Sequence, residues 1–220
     1  MWCVAKLDEA YIERMEDVLK VYEKPLTELA PVVCVDEKPV VLHEDTRFPV
    51  PMQPGQVARR DCEYKRCGTA NVFCAVEAKA GRHFTKVTAN RKSPEFAEFL
   101  LDIAARYPRA NTIHLVLDNL STHTRKAVVG HFGEKHGDWL WRRFTVHHTP
   151  RHGSWLNQAE IEIGIFSRQC LGKRRIPTIA RLTTETNAWN QRINQDKTTI
   201  EWKFTRKKAR QKLKYQITRS

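Results

Sequence analysis

Short unbroken apolar runs alternate along this chain with longer stretches whose apolar positions recur every three or four residues. Residues 32–35 (Val-Val-Cys-Val) run straight into Asp36, and residues 113–117 (Ile-His-Leu-Val-Leu) run into Asp118-Asn119. Runs of this length without polar alternation read as strands buried on both faces. Residues 71–76 and 83–88 form a second and a third strand, turned by Ala80-Gly81, which predicts an antiparallel hairpin. Residues 144–148 give a fifth. Helical spacing covers residues 8–24, stopped by Pro25. Ser93 reads as an N-cap before Pro94, followed by a stripe of Phe96, Phe99, Leu100, Ile103 and Ala104. Another helix is predicted over 124–135, and a last core helix, capped by Ser154, runs through Leu156, Ala159, Ile163 and Phe166. Residues 47–67, rich in Pro, Arg and Gln, read as an exposed loop.

A hairpin of strands followed by strands alternating with helices predicts a mixed sheet of five strands flanked by helices, and this order commonly builds the ribonuclease H-like fold. The 220 residues suffice for one sizeable domain with an appendage. The divisions expected are a helical lead-in over 1–29, the sheet domain over 30–168 and a basic helical extension over 169–220. No apolar run nears the roughly 18 residues of a membrane span, and residues 1–8 lack the pattern of a signal peptide, so a cytoplasmic protein is expected. The six cysteines, at 3, 34, 62, 67, 74 and 170, make no Cys-x-x-Cys pair, which argues against a zinc site.

Charge changes the picture more. The net charge is +13, and it is uneven. From Ile163 onward, 15 Lys and Arg stand against three acids, Glu185, Asp196 and Glu201, while the body before it is nearly neutral. A basic end on a neutral body fits a polyanionic partner.

Three acids carry the candidate chemistry: Asp36 and Asp118 at strand ends, and Glu160 in the helix after the fifth strand. Carboxylates gathered at one sheet edge repel unless cations neutralise them, and hard oxygen donors suit Mg²⁺, with Mn²⁺ as substitute. Two such ions can serve phosphodiester chemistry by activating the attacking oxygen and stabilising the leaving one.

Separated blocks then carry a resemblance. They are Val33-Cys34-Val35-Asp36-Glu37-Lys38-Pro39; Glu63-Tyr64-Lys65-Arg66 with Gly68-Thr69-Ala70-Asn71; Leu117-Asp118-Asn119-Leu120-Ser121-Thr122-His123; and residues 148–160, containing Gly153-Ser154-Trp155-Leu156-Asn157-Gln158-Ala159-Glu160. Weaker similarity continues through residues 166–171 and 201–205. The chain resembles the catalytic domain of DDE transposases of the mariner superfamily, in the bacterial insertion-sequence-630 group. The resemblance implies Mg²⁺ held by Asp36, Asp118 and Glu160, hydrolytic cleavage at transposon ends, and joining of the freed 3′-hydroxyl to target DNA. Glu162 rivals Glu160, and periodicity does not choose between them; the family's Leu-Asn spacing to the acid selects Glu160.

His123 reads either as facing the scissile phosphate or as a helix-start residue without a role. Trp155 reads either as a base-stacking platform or as core. Arg151 and the runs Lys173-Arg174-Arg175 and Arg206-Lys207-Lys208-Ala209-Arg210 are expected on phosphates. The resemblance also implies double-stranded DNA as partner and a homodimer in the DNA complex. Such transposases carry an N-terminal helix-turn-helix region, and the residues ahead of Asp36 hold a single helix. A separately encoded DNA-reading half is therefore one expectation, and a truncated, non-catalytic DNA-binding regulator is the alternative.

Overall fold

The computed structural model describes residues 7–215; the readings of residues 1–6, Cys3 among them, lie outside the described residues. Five strands form one sheet in the order β3-β2-β1-β4-β5. β1 (Val32–Asp45), β2 (Tyr64–Glu77) and β3 (Arg82–Thr88) are antiparallel neighbours, while β4 (Ile113–Leu117) runs parallel to β1 and β5 (Phe144–His148) parallel to β4. With helices on both faces, this is the ribonuclease H-like arrangement that the element order predicts.

The faces follow from strand alternation. Val33 and Val35 point to one side, where α2 (Ser93–Arg106) lays Phe96, Phe99, Leu100 and Ile103 on the sheet, with α3 (Arg125–Trp141) behind it. Cys34 and Val116 point to the other side, toward α1 (Glu9–Glu23), the start of α4 (Ala159–Phe166) and the single turn at Ser154–Leu156. A third cluster lies on that face beside β1 and β2: Val40, Leu42 and Val72 meet Phe166 of α4 and Leu182, Trp189 and Ile193 of α5 (Ile179–Gln195). α6 (Arg206–Leu213) returns to α1, burying Ala209.

Several boundaries differ from the sequence reading, each for a local reason. β1 does not end at Asp36. It leaves β4 after Cys34 but stays paired with β2 as far as Asp45, so Asp36 sits mid-strand opposite Cys74. The stretch read as a loop over 47–67 is partly strand, since β2 begins at Tyr64. Between them an arm projects with two isolated bridges, Val50–Arg59 and Gln53–Gln56, and exposes Phe48, Met52 and Val57. Arg175 fastens its base: the guanidinium donates to Asp45 Oδ1 and to the carbonyls of Asp61, Cys62 and Glu63, and lies over the Tyr64 ring. Ser93 is inside α2 and Lys92 precedes it as the cap residue. α3 reaches Trp141 with one non-helical residue, Gly133 at φ 77°. Ser154 does not cap α4; Gln158 holds the cap position without a side-chain bond, and Asn157 before it accepts the Ala159 N–H on its Oδ1 at 3.1 Å.

A polar chain docks α1 and its end onto the sheet. Lys24 Nζ lies 2.7 Å from His114 Nε2, His114 Nδ1 lies 3.0 Å from His147 Nε2, and His147 Nδ1 lies 2.6 Å from Asp17 Oδ2. One proton arrangement satisfies all of them: Lys24 donates to His114, neutral His114 to His147, and His147 to Asp17. Burial, then the Lys24 charge and His147, lower His114 to about 4. A histidine lowered in the fold contributes stability above its ordinary 6.5, and that contribution is lost as pH falls toward 4. The melting temperature is expected to fall across that window, and to fall less steeply for His114→Gln. Superimposable melting temperature–pH curves for the two proteins would dismiss the linkage.

Candidate active site

The carboxylates meet where β1 parts from β4. In the parallel register Val33 faces Leu115 and Cys34 faces Val116. Asp36 stands two residues past Cys34 on β1, and Asp118 two residues past Val116, just after β4 ends, so both lie where the two parallel strands part. Asp36 shares the face of Cys34, on the side of α1 and α4. Its Oδ1 accepts the Glu37 N–H at 2.8 Å. Asp118 Oδ1 accepts the Leu120 N–H at 3.0 Å. Each aspartate thus commits one oxygen to the backbone, and its other oxygen has no hydrogen-bond partner among the described residues.

The third acid arrives on α4. Asn157 is buried and its Nδ2 donates to the Val35 carbonyl at 2.8 Å, which ties the helix start to β1 one residue before Asp36. Gln158 is clasped on the same side, its backbone N–H reaching the Tyr22 hydroxyl. Glu160 follows in the first turn and is exposed. Burial pushes Asp36 up to about 7, and the charges of Glu160, Glu37 and Asp118 push in the same direction. The structure therefore brings Asp36, Asp118 and Glu160 into one electrostatic neighbourhood. Among the described residues no three His, Cys, Asp or Glu side chains are gathered tightly enough to ligate a single ion as they stand. The Glu160 side chain is exposed. Hard carboxylate oxygens, two of them uncommitted on the aspartates, are the donor set that Mg²⁺ or Mn²⁺ takes.

Glu162 faces elsewhere. It is fully buried, and both its oxygens lie 2.9 Å from His83 Nδ1, while His83 Nε2 meets the Thr198 carbonyl at 2.8 Å. Both ring nitrogens face acceptors, which fits an imidazolium. Burial works against that charge, but the Glu162 carboxylate outweighs it and raises His83. This pair joins α4 to β3 and to the turn after α5.

His123 is fully buried rather than facing solvent. Its Nε2 lies 2.7 Å from Glu37 Oε1, and its Nδ1 lies 2.7 Å from Asp118 Oδ1, a close ionic contact not aligned as a hydrogen bond. Burial would lower it, yet the carboxylates of Asp118 and Glu37 win and raise it to about 9. The same contact, with the Leu120 N–H, holds Asp118 below the usual carboxylate range against its own burial. His148 Nδ1, 3.1 Å from the Asp118 carbonyl, steadies the backbone. Glu37 escaped the sequence reading; its signal was the second acid of the Asp-Glu pair, which strand alternation turns to the opposite face.

The basic residues divide. Arg206 pairs with Glu23 and Arg210 with Glu16, so α6 is zipped to α1. Arg174 pairs with Glu185, and Arg175 is spent on the arm. Arg151, Lys173, Lys207 and Lys208 are exposed with no ion pair among the described residues. Trp155 is 42% exposed, its indole N–H on the Tyr11 hydroxyl and its ring edge-on to Phe204. Among the described residues no helix is long and apolar enough to cross a membrane.

Residues 31–183 match a family described as DDE superfamily endonuclease. No curated protein matches the chain. Among solved structures, the chain is similar to the Mos1 mariner paired end complex with Mn at 15% identity and TM-score 0.57, covering 87% of this chain and 58% of that one. It is also similar to the Mos1 transposase paired-end complex with left transposon end (15%, TM-score 0.56, 87% and 57%) and to the Mos1 Strand Transfer Complex (14%, TM-score 0.55, 92% and 66%). At these identities the likeness is one of fold, and the chain spans under three fifths of the first two structures' length.

Proposed function

The chain belongs to the DDE superfamily of endonucleases, and from that premise we propose that it is the catalytic portion of a transposase, which cuts transposon-end DNA and joins the cut end to target DNA. What supports the reading is that Asp36 and Asp118 each stand two residues past the paired Cys34 and Val116 of parallel strands, while the Asn157–Val35 bond ties the start of the Glu160 helix to β1.

Asp36, Asp118 and Glu160 would hold two divalent cations, Mg²⁺ or Mn²⁺. The ions supply Lewis-acid stabilisation to the attacking and leaving oxygens. The chain's own residues do the remaining work. Rigid strand backbone fixes Asp36, and the Leu120 N–H, His123 and His148 fix Asp118 and leave its other oxygen outward. Glu37 holds His123 charged, so Asp118 stays ionised. In the first step a water oxygen attacks the phosphorus and the bond to the 3′-oxygen breaks, leaving a 3′-hydroxyl and a 5′-phosphate. In the second that hydroxyl attacks a target phosphodiester, and one P–O bond is exchanged for another.

The Mos1 structures contain paired transposon ends, and one contains Mn. By that analogy the partner proposed here is double-stranded DNA held by a homodimer. Arg151, Lys173, Lys207 and Lys208 are the proposed phosphate contacts, since Arg174, Arg175, Arg206 and Arg210 already have acidic partners. Proposed divisions stay as a lead-in over 1–29, a catalytic domain over 30–168 and an extension over 169–220.

The test is nicking of supercoiled plasmid by the purified chain. Nicking is expected with Mn²⁺ and none with EDTA. Binding of DNA without nicking under any divalent cation would replace the reading with that of a non-catalytic DNA-binding regulator.

A further inference from the structure

A cavity of about 680 Å³, lined by Asn119 one residue past Asp118, opens between α1, the Asn119 loop and the turn after β5. Its polar lining is Asp8, Tyr11, Arg14, Asn119, Arg151 and His152. We propose that Arg14 binds a backbone phosphate of the DNA strand next to the one being cut, so that the lead-in helix forms a wall of the substrate groove. The inference rests on the nuclease reading and deepens it.

Four observations point there. First, Arg14 NH1 donates to Asn119 Oδ1 at 2.5 Å, and Asn119 Nδ2 is itself anchored on the Thr149 carbonyl at 2.6 Å. The guanidinium is thereby fixed one residue from Asp118. Second, its anchor is neutral. Of the five acids along α1, Glu16, Asp17 and Glu23 are taken by Arg210, His147 and Arg206, and Glu9 and Glu13 are exposed with no ion pair among the described residues. Among the described residues no acid pairs with Arg14, so its charge and most of its donors remain for a ligand. Third, Arg151 reaches the same cavity, also without an ion pair among the described residues. Two guanidinium groups on one cavity, each able to present two parallel N–H bonds, match phosphodiester oxygens better than a base edge or a lone carboxylate. Fourth, the one carboxylate in the lining is engaged with the helix: Asp8 Oδ1 caps α1 by accepting the Tyr11 N–H at 2.8 Å. The Tyr11 hydroxyl takes the Trp155 indole N–H, which joins α1 to the block that carries Glu160.

The experiment uses the full chain and duplex DNA, read by fluorescence anisotropy in EDTA between 50 and 200 mM KCl. Arg14→Gln is expected to weaken binding about fivefold and to flatten the log–log salt slope by about 0.9, as one lost phosphate contact should. Arg14→Lys keeps the charge and is expected to recover most of the slope. Lys20→Gln, an exposed charge on the same helix with no place in the cavity, is expected to leave the slope unchanged. Melting temperatures of all three should match the parent. An Arg14→Gln slope equal to the parent's, or an equal loss from Lys20→Gln, overturns the proposal. Because binding is read without metal, a chain that never nicks but shows the Arg14-specific slope loss keeps the phosphate contact and loses only the nuclease reading.

Discussion

Plasmid nicking by Asp36→Asn or Asp118→Asn is expected to drop to the EDTA background, a loss of about a thousandfold or more, equivalent to roughly 4 kcal/mol of transition-state stabilisation. Asparagine keeps the shape of the side chain but offers a neutral oxygen to a divalent cation. The same change at Asp36 has an opposite effect on stability without metal. The folded carboxyl is raised from 3.8 to about 7, mainly by burial and then by Glu160, Glu37 and Asp118. A carboxyl raised in the fold contributes stability that is full below 3.8 and lost as pH rises through 7. In EDTA at pH 8, Asp36→Asn should therefore be more stable than the parent, by on the order of 2 kcal/mol after solvent screening. At pH 4 the two should converge. Asp118 is held low rather than high, so Asp118→Asn should show no such gain. Retained nicking by Asp118→Asn would remove it from the site.

The acids two residues apart on α4 give the second large effect, because they separate chemistry from architecture. Glu162→Gln leaves the His83 imidazolium buried without its counter-charge, a loss of about 3–5 kcal/mol. For a chain of this size that lowers the melting temperature by about 10 °C. Glu160→Gln sits on an exposed position and should move the melting temperature by no more than about 1 °C, while nicking disappears. Thermal melts and nicking assays on both variants decide it. The reverse pattern, with Glu162→Gln folded but inactive and Glu160→Gln active, would exchange their roles.

The sheet was legible because buried strands announce themselves by uninterrupted apolar runs, but Asp36, read at a strand end, lies mid-strand opposite Cys74. The extent of β1 was not legible. Residues 37–45 carry Glu, Lys, Pro and His, and they stay extended because β2 pairs with them across a gap of many residues, which no local pattern contains. The proposed choice of Glu160 over Glu162 came from resemblance; the group that engages Glu162, the buried His83, lies on another strand. The basic end was legible as charge but not as partners: Arg206 and Arg210 looked like a free cationic run, and their acids, Glu23 and Glu16, stand at the opposite end of the sequence. His123 was readable only as two alternatives, since its meaning depends on Glu37, which strand alternation sends to the far side of Asp36.

The zip between α1 and α6 has a consequence for the order in which the chain is made. Glu16 and Arg210 are 194 positions apart, and Glu23 and Arg206 are 183 apart. α1 precedes all five strands in the chain, yet the helix that braces it follows them all. Contacts that span so much of the sequence close slowly, after local ones. The wall bearing Arg14 is thus the late-setting part of the molecule, and a half-made chain holds the aspartate strands before that wall is braced.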